Sequence, residues 1–515
     1  VEIDQNQNFS AQFPKNLVAN IAYFVVNVLI GILLVPYFVS TLGVAAYGLI
    51  PLATSITGYV AIVVQSLNTA VTRFLSVDLQ REDFVAANRT FNTAFFGLTA
   101  IVLIMVPIVV LVAYFIPAMF SVPAGQETGS MFLFLGVCGA FLLRAWSGNF
   151  TVQLFAYNRL DLQNLVNITN LLTQTALIVL LFNLFGPNLA LVGGSYMVGA
   201  LIASGIAILL ARLICPYLHV SIQSFDRRKV RDLGEMGWWL VIDQIGALFL
   251  FQVDLIVVNL LFGALKAGEY AIALQWRILL QAIIMMLTAI LIPTILAYYA
   301  QKKTDTLVTI TKSAVKLLGL AIALPAGLIC GFAPQLLTIW VGAEYADLAT
   351  LMVLLIAPFA ATMSVQPLFS INVAYNKVRF PGIMTIVLGI ANLVLAILIP
   401  SMTGWGYYGV AVAGAIVLTF RNTLFVPWYA AKILHGRMIT YLKCIFPGAL
   451  ALVFIGGTAV IFDAITSFPP LFTIVFAGIG ITLVYSILVV WGGLTSFEKQ
   501  LFKSFLPPRW RGHLG

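Results

Sequence analysis

Residues 101–119 read Ile101-Val102-Leu103-Ile104-Met105-Val106-Pro107-Ile108-Val109-Val110-Leu111-Val112-Ala113-Tyr114-Phe115-Ile116-Pro117-Ala118-Met119, without a charge anywhere along them. At about 1.5 Å per residue, such a run is long enough to cross the ~30 Å hydrocarbon core of a bilayer. Runs like it recur along the whole chain. Of its 515 residues, 61% are hydrophobic and only 9% are charged, with a mean hydropathy of +1.04. No soluble globule has that balance. In lipid every backbone N–H and C=O must bond internally, so the expected fold is all-α and polytopic. Fourteen spans are expected, at roughly 16–40, 47–70, 90–119, 130–157, 164–184, 189–213, 237–262, 270–299, 308–333, 348–375, 380–400, 408–433, 444–463 and 470–493. The polar start, Val1 to Asn16, predicts no cleavable leader.

Working outward from the opening run, its end repeats elsewhere. Phe115-Ile116-Pro117 is echoed by Phe332-Ala333-Pro334, 217 residues on. Ala156-Tyr157-Asn158-Arg159 returns as Ala374-Tyr375-Asn376-Lys377 after 218 residues, and Gly43…Tyr47 as Gly263…Tyr270 after about 223. Three landmarks in one order at nearly one spacing point to a duplicated half, a common way to build a transporter. The expected organisation is an N-terminal lobe (1–215, six helices), a cytoplasmic linker (216–236) and a C-terminal lobe (237–435, six helices). A last helix pair with a tail (436–515) has no counterpart in the repeat. Six helices per half is even, so both halves insert the same way up, about a pseudo-two-fold axis along the membrane normal. The charged linker, with Asp226-Arg227-Arg228-Lys229, would let two bundles rock against each other.

Charge sets the orientation. Of the 27 Lys and Arg, all but Lys266 and three inside spans fall on the side of the N-terminus. The positive-inside rule then puts both termini in the cytoplasm. The net charge of +9 is an orientation and anionic-lipid signal, so no nucleic-acid partner is expected. Cys138, Cys215, Cys330 and Cys444 are scattered, form no CxxC, and read as small apolar residues. No Walker sequence, HExxH or nucleophile elbow occurs, and His219, His435 and His513 are far apart. Gly404-Trp405-Gly406-Tyr407-Tyr408-Gly409 matches GxGxxG but lies in a turn between spans, so the match is accidental. No catalytic residue, metal or cofactor is expected, and the chain reads as a carrier rather than an enzyme. Its energy would come from a gradient, with H+ or Na+ as coupling candidates.

Ionisable groups within spans are costly and mark function or pairing. Arg144 lies near the centre of the fourth span, in Leu142-Leu143-Arg144-Ala145-Trp146, and no acid sits inside a first-half span to neutralise it. Its partner is then a second-half carboxylate or the substrate, and its planar fork suits phosphate. Asp243 and Asp254, eleven residues apart in the seventh span, share one helix face. Asp254 and Arg277 fall at matching depth in an antiparallel hairpin and read as a structural pair. Asp243 reads as a cation or proton site, or as the partner of Arg144. Arg421 is either a third cavity cation or a snorkelling side chain, and Arg73 either guards the cytoplasmic mouth or anchors there. The first-half spans also carry Asn20, Asn27, Gln65, Asn68, Asn149, Gln153, Asn170 and Gln174. Of these, Asn68, Asn149, Gln153 and Gln174 are expected to line a hydrated, sugar-binding lumen.

Tyr37-Phe38-Val39-Ser40-Thr41-Leu42-Gly43 with Tyr47-Gly48-Leu49 resembles the first outer turn of the polysaccharide transporter family. So do Asp254 followed by Gly263, Gly268, Glu269, Tyr270 and Pro293, and the turn Trp340-Val341-Gly342-Ala343-Glu344-Tyr345. These are the Wzx-type flippases of the multidrug/oligosaccharidyl-lipid/polysaccharide exporter superfamily. The resemblance implies alternating-access transport of an undecaprenyl-diphosphate-linked oligosaccharide, such as an O-antigen unit, from inner to outer leaflet. It further implies a cationic cavity, for which Arg73, Arg144, Arg277 and Arg421 are available, and cooperation with polysaccharide polymerase machinery. The chain departs from the lipid II flippase branch in its first helix, which offers only Asn20 and Asn27 where that branch carries bases. A cation-coupled drug exporter is the nearest rival. A polymerase or ligase would need a large outer loop with clustered acids or histidines, and the chain has none.

Overall fold

The computed structural model describes residues 5–80, 83–300, 304–375, 377–466, 468–495 and 498. Helices make up the described residues, without a strand. Twelve helices among those residues are long and apolar enough to cross a membrane, from Lys15–Leu42 to Pro470–Gly493. The expected span at 47–70 falls on helix Leu49–Gln80, whereas that at 237–262 is interrupted: helix Arg227–Phe251 starts within the expected linker and ends at a break at Gln252, and Val253–Ala300 carries the rest. The chain is therefore a multi-pass membrane protein. It divides into two compact units, residues 1–272 with 382–397, and residues 273–381 with 398–515.

The recurring tetrapeptide turns out to be a helix end. Helix Glu127–Ala156 closes with Asn158 in the left-handed region (φ 57°). The Asn158 N–H donates to Phe155 O (2.8 Å) and the Arg159 N–H to Leu154 O (2.8 Å), the paired bonds of a Schellman cap. Asparagine tolerates that backbone better than other residues with a Cβ. In the second copy the Lys377 N–H donates to Asn372 O (2.8 Å), again five residues back, while Asn376 itself lies outside the described residues. The bond five residues back is thus common to both copies. Arg159 bonds Asp161 at 3.0 Å, and Asn16 donates to both the carbonyl (2.9 Å) and the side chain (3.1 Å) of Asn158, tying the first helix to this turn.

A second repeat-related pair lies at Gly43 and Gly263, with φ 82° and 85°. Within Val253–Ala300 the chain reverses at Gly263. Tyr270 Oη donates to Asp254 Oδ2 at 3.4 Å, although 16 residues of straight helix would separate them by about 24 Å. The reversal takes a single residue, where the sequence reading left a loop over 263–269. Five residues beyond each of these glycines stand Gly48 and Gly268, and these two touch. A Cβ on Gly48 would lie 2.7 Å from Gly268 N, and one on Gly268 would lie 1.9 Å from Val44 O.

Small residues also seat helices closely where lipid offers no hydrophobic drive. In the first unit, Gly136 of Glu127–Ala156 faces Gly193 of Leu189–Ile214 so closely that a Cβ on Gly136 would lie 2.3 Å from the Gly193 carbonyl. In the second, Gly319, Gly327 and Gly331 of Thr304–Gly331 meet Gly448, Ile455 and Ala459 of Met438–Ile465. The start of the expected linker is bonded down. Buried Asn92 donates to His219 O (2.9 Å) and accepts from Ser221 N (2.7 Å), Asn88 accepts from His219 N (3.1 Å), and Thr93 accepts from Asp226 N (3.0 Å). Beyond the last span, Thr495 and Glu498 cap each other, and Lys316 donates to the same carboxylate at 2.8 Å. Burial alone would raise the Glu498 carboxyl. The donors outweigh it and hold it below the usual range.

Gly268→Ala should cost about 1–3 kcal/mol, because a backbone oxygen occupies the new methyl's place. Thermal unfolding of the purified protein measures it. Gly97→Ala, where the Cβ meets nothing within 4 Å, should leave the transition unmoved.

Candidate functional site

Four helices of the first unit enclose a cavity of about 520 Å³, and each gives it one stripe. Leu49–Gln80 supplies Thr54, Thr57, Ala61, Val64 and Asn68, and Glu127–Ala156 supplies Val137 to Thr151 at three- and four-residue steps, including Phe141 and Arg144. Leu160–Phe185 contributes Gln163, Asn167, Asn170 and Gln174, and Leu189–Ile214 contributes Tyr196 and Ala200. The steps follow helical periodicity, so each stripe is one face of its helix. Gly148 leaves room for Asn68, whose Nδ2 would lie 3.1 Å from a Cβ there.

Arg144 is the one charged residue among those lining the cavity. Its Nη2 donates to Asn167 Oδ1 at 2.6 Å. Neither a first-half nor a second-half carboxylate meets it among the described residues; a neutral amide of its own unit does. A guanidinium carries five N–H donors, so most remain for a ligand. Asn170 Oδ1 is buried without a protein partner, an acceptor on the same wall. Sequence reading missed Asn167. The signal was present, since Gln163, Asn167, Asn170 and Gln174 step by four, three and four along an otherwise apolar helix.

Of the residues expected in the lumen, Asn68 and Gln174 line the cavity with Arg144. Asn149 and Gln153 do not; they lie five and nine residues past Arg144, on another face of the helix, and are 1% exposed. Arg277 and Arg421 are buried in the second unit, with guanidinium carbons 5.9 Å from the Phe359 ring and 4.7 Å from the Phe369 ring. Arg421 sits in a π-helical turn, Phe420–Phe425, and also donates to Asn422 Oδ1 at 3.4 Å. The side chains of Arg73 and Asp243 lie outside the described residues.

Asp254 is buried at 1% exposure, two residues past the helix break at Gln252. Asn392 Nδ2 donates to Asp254 Oδ1 (3.1 Å) and to Phe249 O (3.0 Å), so one amide serves the carboxylate and a carbonyl at the broken helix end. Asn392 had no part in the sequence reading, although it interrupts the apolar run 380–400. Asp254 and Arg277 fall in different compact units. Among the described residues, no three His, Cys, Asp or Glu gather to hold a metal ion.

Residues 13–299, more than half of the chain, match the family model described as polysaccharide biosynthesis protein. The chain is 28% identical over 490 residues to the uncharacterized membrane protein EpsK of Bacillus subtilis (strain 168), covering 95% of this chain and 97% of that one. In fold it resembles the lipid II flippase MurJ in its inward closed conformation, with a TM-score of 0.63 and 13% identity over 95% of this chain and 99% of that one. It also resembles a multidrug resistance MATE family transporter of the MOP superfamily in an outward-facing conformation. There the TM-score is 0.57 and the identity 15%, over 82% of this chain and 96% of that one. These likenesses establish a polytopic fold of the MATE and MurJ kind.

Asn167→Asp places a carboxylate where Arg144 now finds an amide, neutralising the cavity at almost constant volume. The protein should insert and purify normally, with a thermal transition no lower than that of the parent, because a buried ion pair replaces an uncompensated charge.

Proposed function

We propose, on the premise that the chain belongs to the polysaccharide biosynthesis protein family, that it carries an undecaprenyl-diphosphate-linked oligosaccharide from the inner to the outer leaflet. The mechanism is alternating access, in the cytoplasmic membrane of a prokaryote with both termini inside. One observation carries this reading: a membrane-embedded arginine, bonded to a neutral amide, faces a cavity lined with hydroxyls and carboxamides. Burying that charge costs about 2.5–3.5 kcal/mol even on the lenient insertion scale, so its retention points to an anionic cargo. The neutral wall suits sugar hydroxyls, which are donors and acceptors at once. Arg277 and Arg421 are proposed as further cationic contacts along the path, and Arg73 as a contact at its mouth. Anionic lipids and polysaccharide polymerase machinery are the proposed surroundings. A cationic drug is disfavoured, because Arg144 would repel it. No catalytic role is assigned to any residue.

Coupling to H+ or Na+ is proposed through Asp254, with Asp243 as the second candidate. A carboxylate beside a break in a spanning helix is placed where discontinuous helices of carriers hold ions.

Arg144→Glu should abolish export of surface polysaccharide while the protein still reaches the membrane; normal polysaccharide in that strain would remove the anion-binding role. In proteoliposomes, Asp254→Asn should no longer respond to an imposed pH or sodium gradient. An unchanged response assigns coupling elsewhere.

A further inference from the structure

Among the described residues, the walls of the Arg144 cavity carry a single positive charge, and its volume is about 520 Å³. Pockets of roughly 300–1,000 Å³ hold drug-sized ligands, so this one takes a sugar ring or two and not a whole lipid-linked repeat unit. A diphosphate diester brings two negative charges, and a phosphate site in a low-dielectric setting gathers cations to match. Among the described residues lining it, one guanidinium faces otherwise neutral groups. That is the complement of one negative charge with planar, two-oxygen geometry: a carboxylate, which an arginine fork grips with two parallel bonds. Asn167 holds the fork from behind at 2.6 Å. Gln163, Asn170 and Gln174 continue the same helix face with carboxamides at the spacing of successive turns, and Asn170 Oδ1 lacks a protein donor. Phe141, three residues before Arg144, gives an apolar surface for the C–H face of a ring.

Resting on the glycan-carrier reading above, we propose that this cavity is a selectivity pocket for one acidic sugar, a hexuronate, within the carried repeat unit. Arg144 takes the sugar carboxylate, and the amide stripe takes its hydroxyls. The lipid diphosphate is held elsewhere. The carrier would then favour acidic glycans over neutral ones of the same length.

The test uses the purified full-length protein in nanodiscs, with binding read by saturation-transfer NMR and thermal shift. Sodium glucuronate should bind saturably, at least tenfold more tightly than glucose. Inorganic pyrophosphate at matched ionic strength should not displace it. Arg144→Gln should erase the preference for glucuronate over glucose, and Asn167→Asp provides the same test if that variant does not purify. Equal binding of glucose and glucuronate, or absence of glucuronate binding, overturns the proposal. Displacement by pyrophosphate also overturns it, handing Arg144 to the diphosphate and leaving the flippase reading intact. The flippase reading itself falls only if proteoliposomes fail to flip the lipid-linked glycan.

Discussion

A peptide group left unpaired in hydrocarbon costs several kcal/mol, and the rest of this structure follows from avoiding that cost. It makes every spanning segment a helix and concentrates the remaining difficulty at helix ends and breaks. At the end of Glu127–Ala156 the solution is Asn158 in a left-handed cap, closed by bonds back to Phe155 and Leu154. After Leu189–Ile214, Asn88, Asn92 and Thr93 reach across to take up the backbone of the chain leaving the membrane. At the Gln252 break it is Asn392 that satisfies a freed carbonyl. Asparagine supplies all these repairs except that of Thr93, at 158 by tolerating the left-handed backbone and elsewhere because its short amide both donates and accepts without charge.

Against that economy, Arg144 is an expense with no structural return. An ion pair would have made it ordinary; the Asn167 contact leaves it charged and largely available. Asp254 is treated differently, wrapped by Asn392 and Tyr270 at a broken helix. The contrast separates two settings. One buried charge faces a cavity lined with neutral polar groups, and the other is enclosed by an amide and a phenol.

Much of the fold was legible because its signals are local. Uninterrupted apolar runs specify spans, glycine at positive φ specifies turns, and asparagine at 158 suits the left-handed cap that ends its helix. The cavity was only half legible. Arg144, Asn68 and Gln174 announce themselves as polar residues in apolar surroundings, yet so do Asn149 and Gln153, which face away. A polar residue in a span shows that something must satisfy it, and not what.

The chain by itself determined an all-helical membrane protein with a costly arginine in the span Glu127–Ala156. Those follow from hydropathy and helical geometry, which act over a few residues. Only tertiary structure decided that Asn167 holds Arg144, that Asn392 holds Asp254, and that Gly48 and Gly268 touch. These partners stand 23, 138 and 220 residues apart, and their meeting depends on how helices rotate and seat against one another. Sequence spacing does not encode that rotation; packing does.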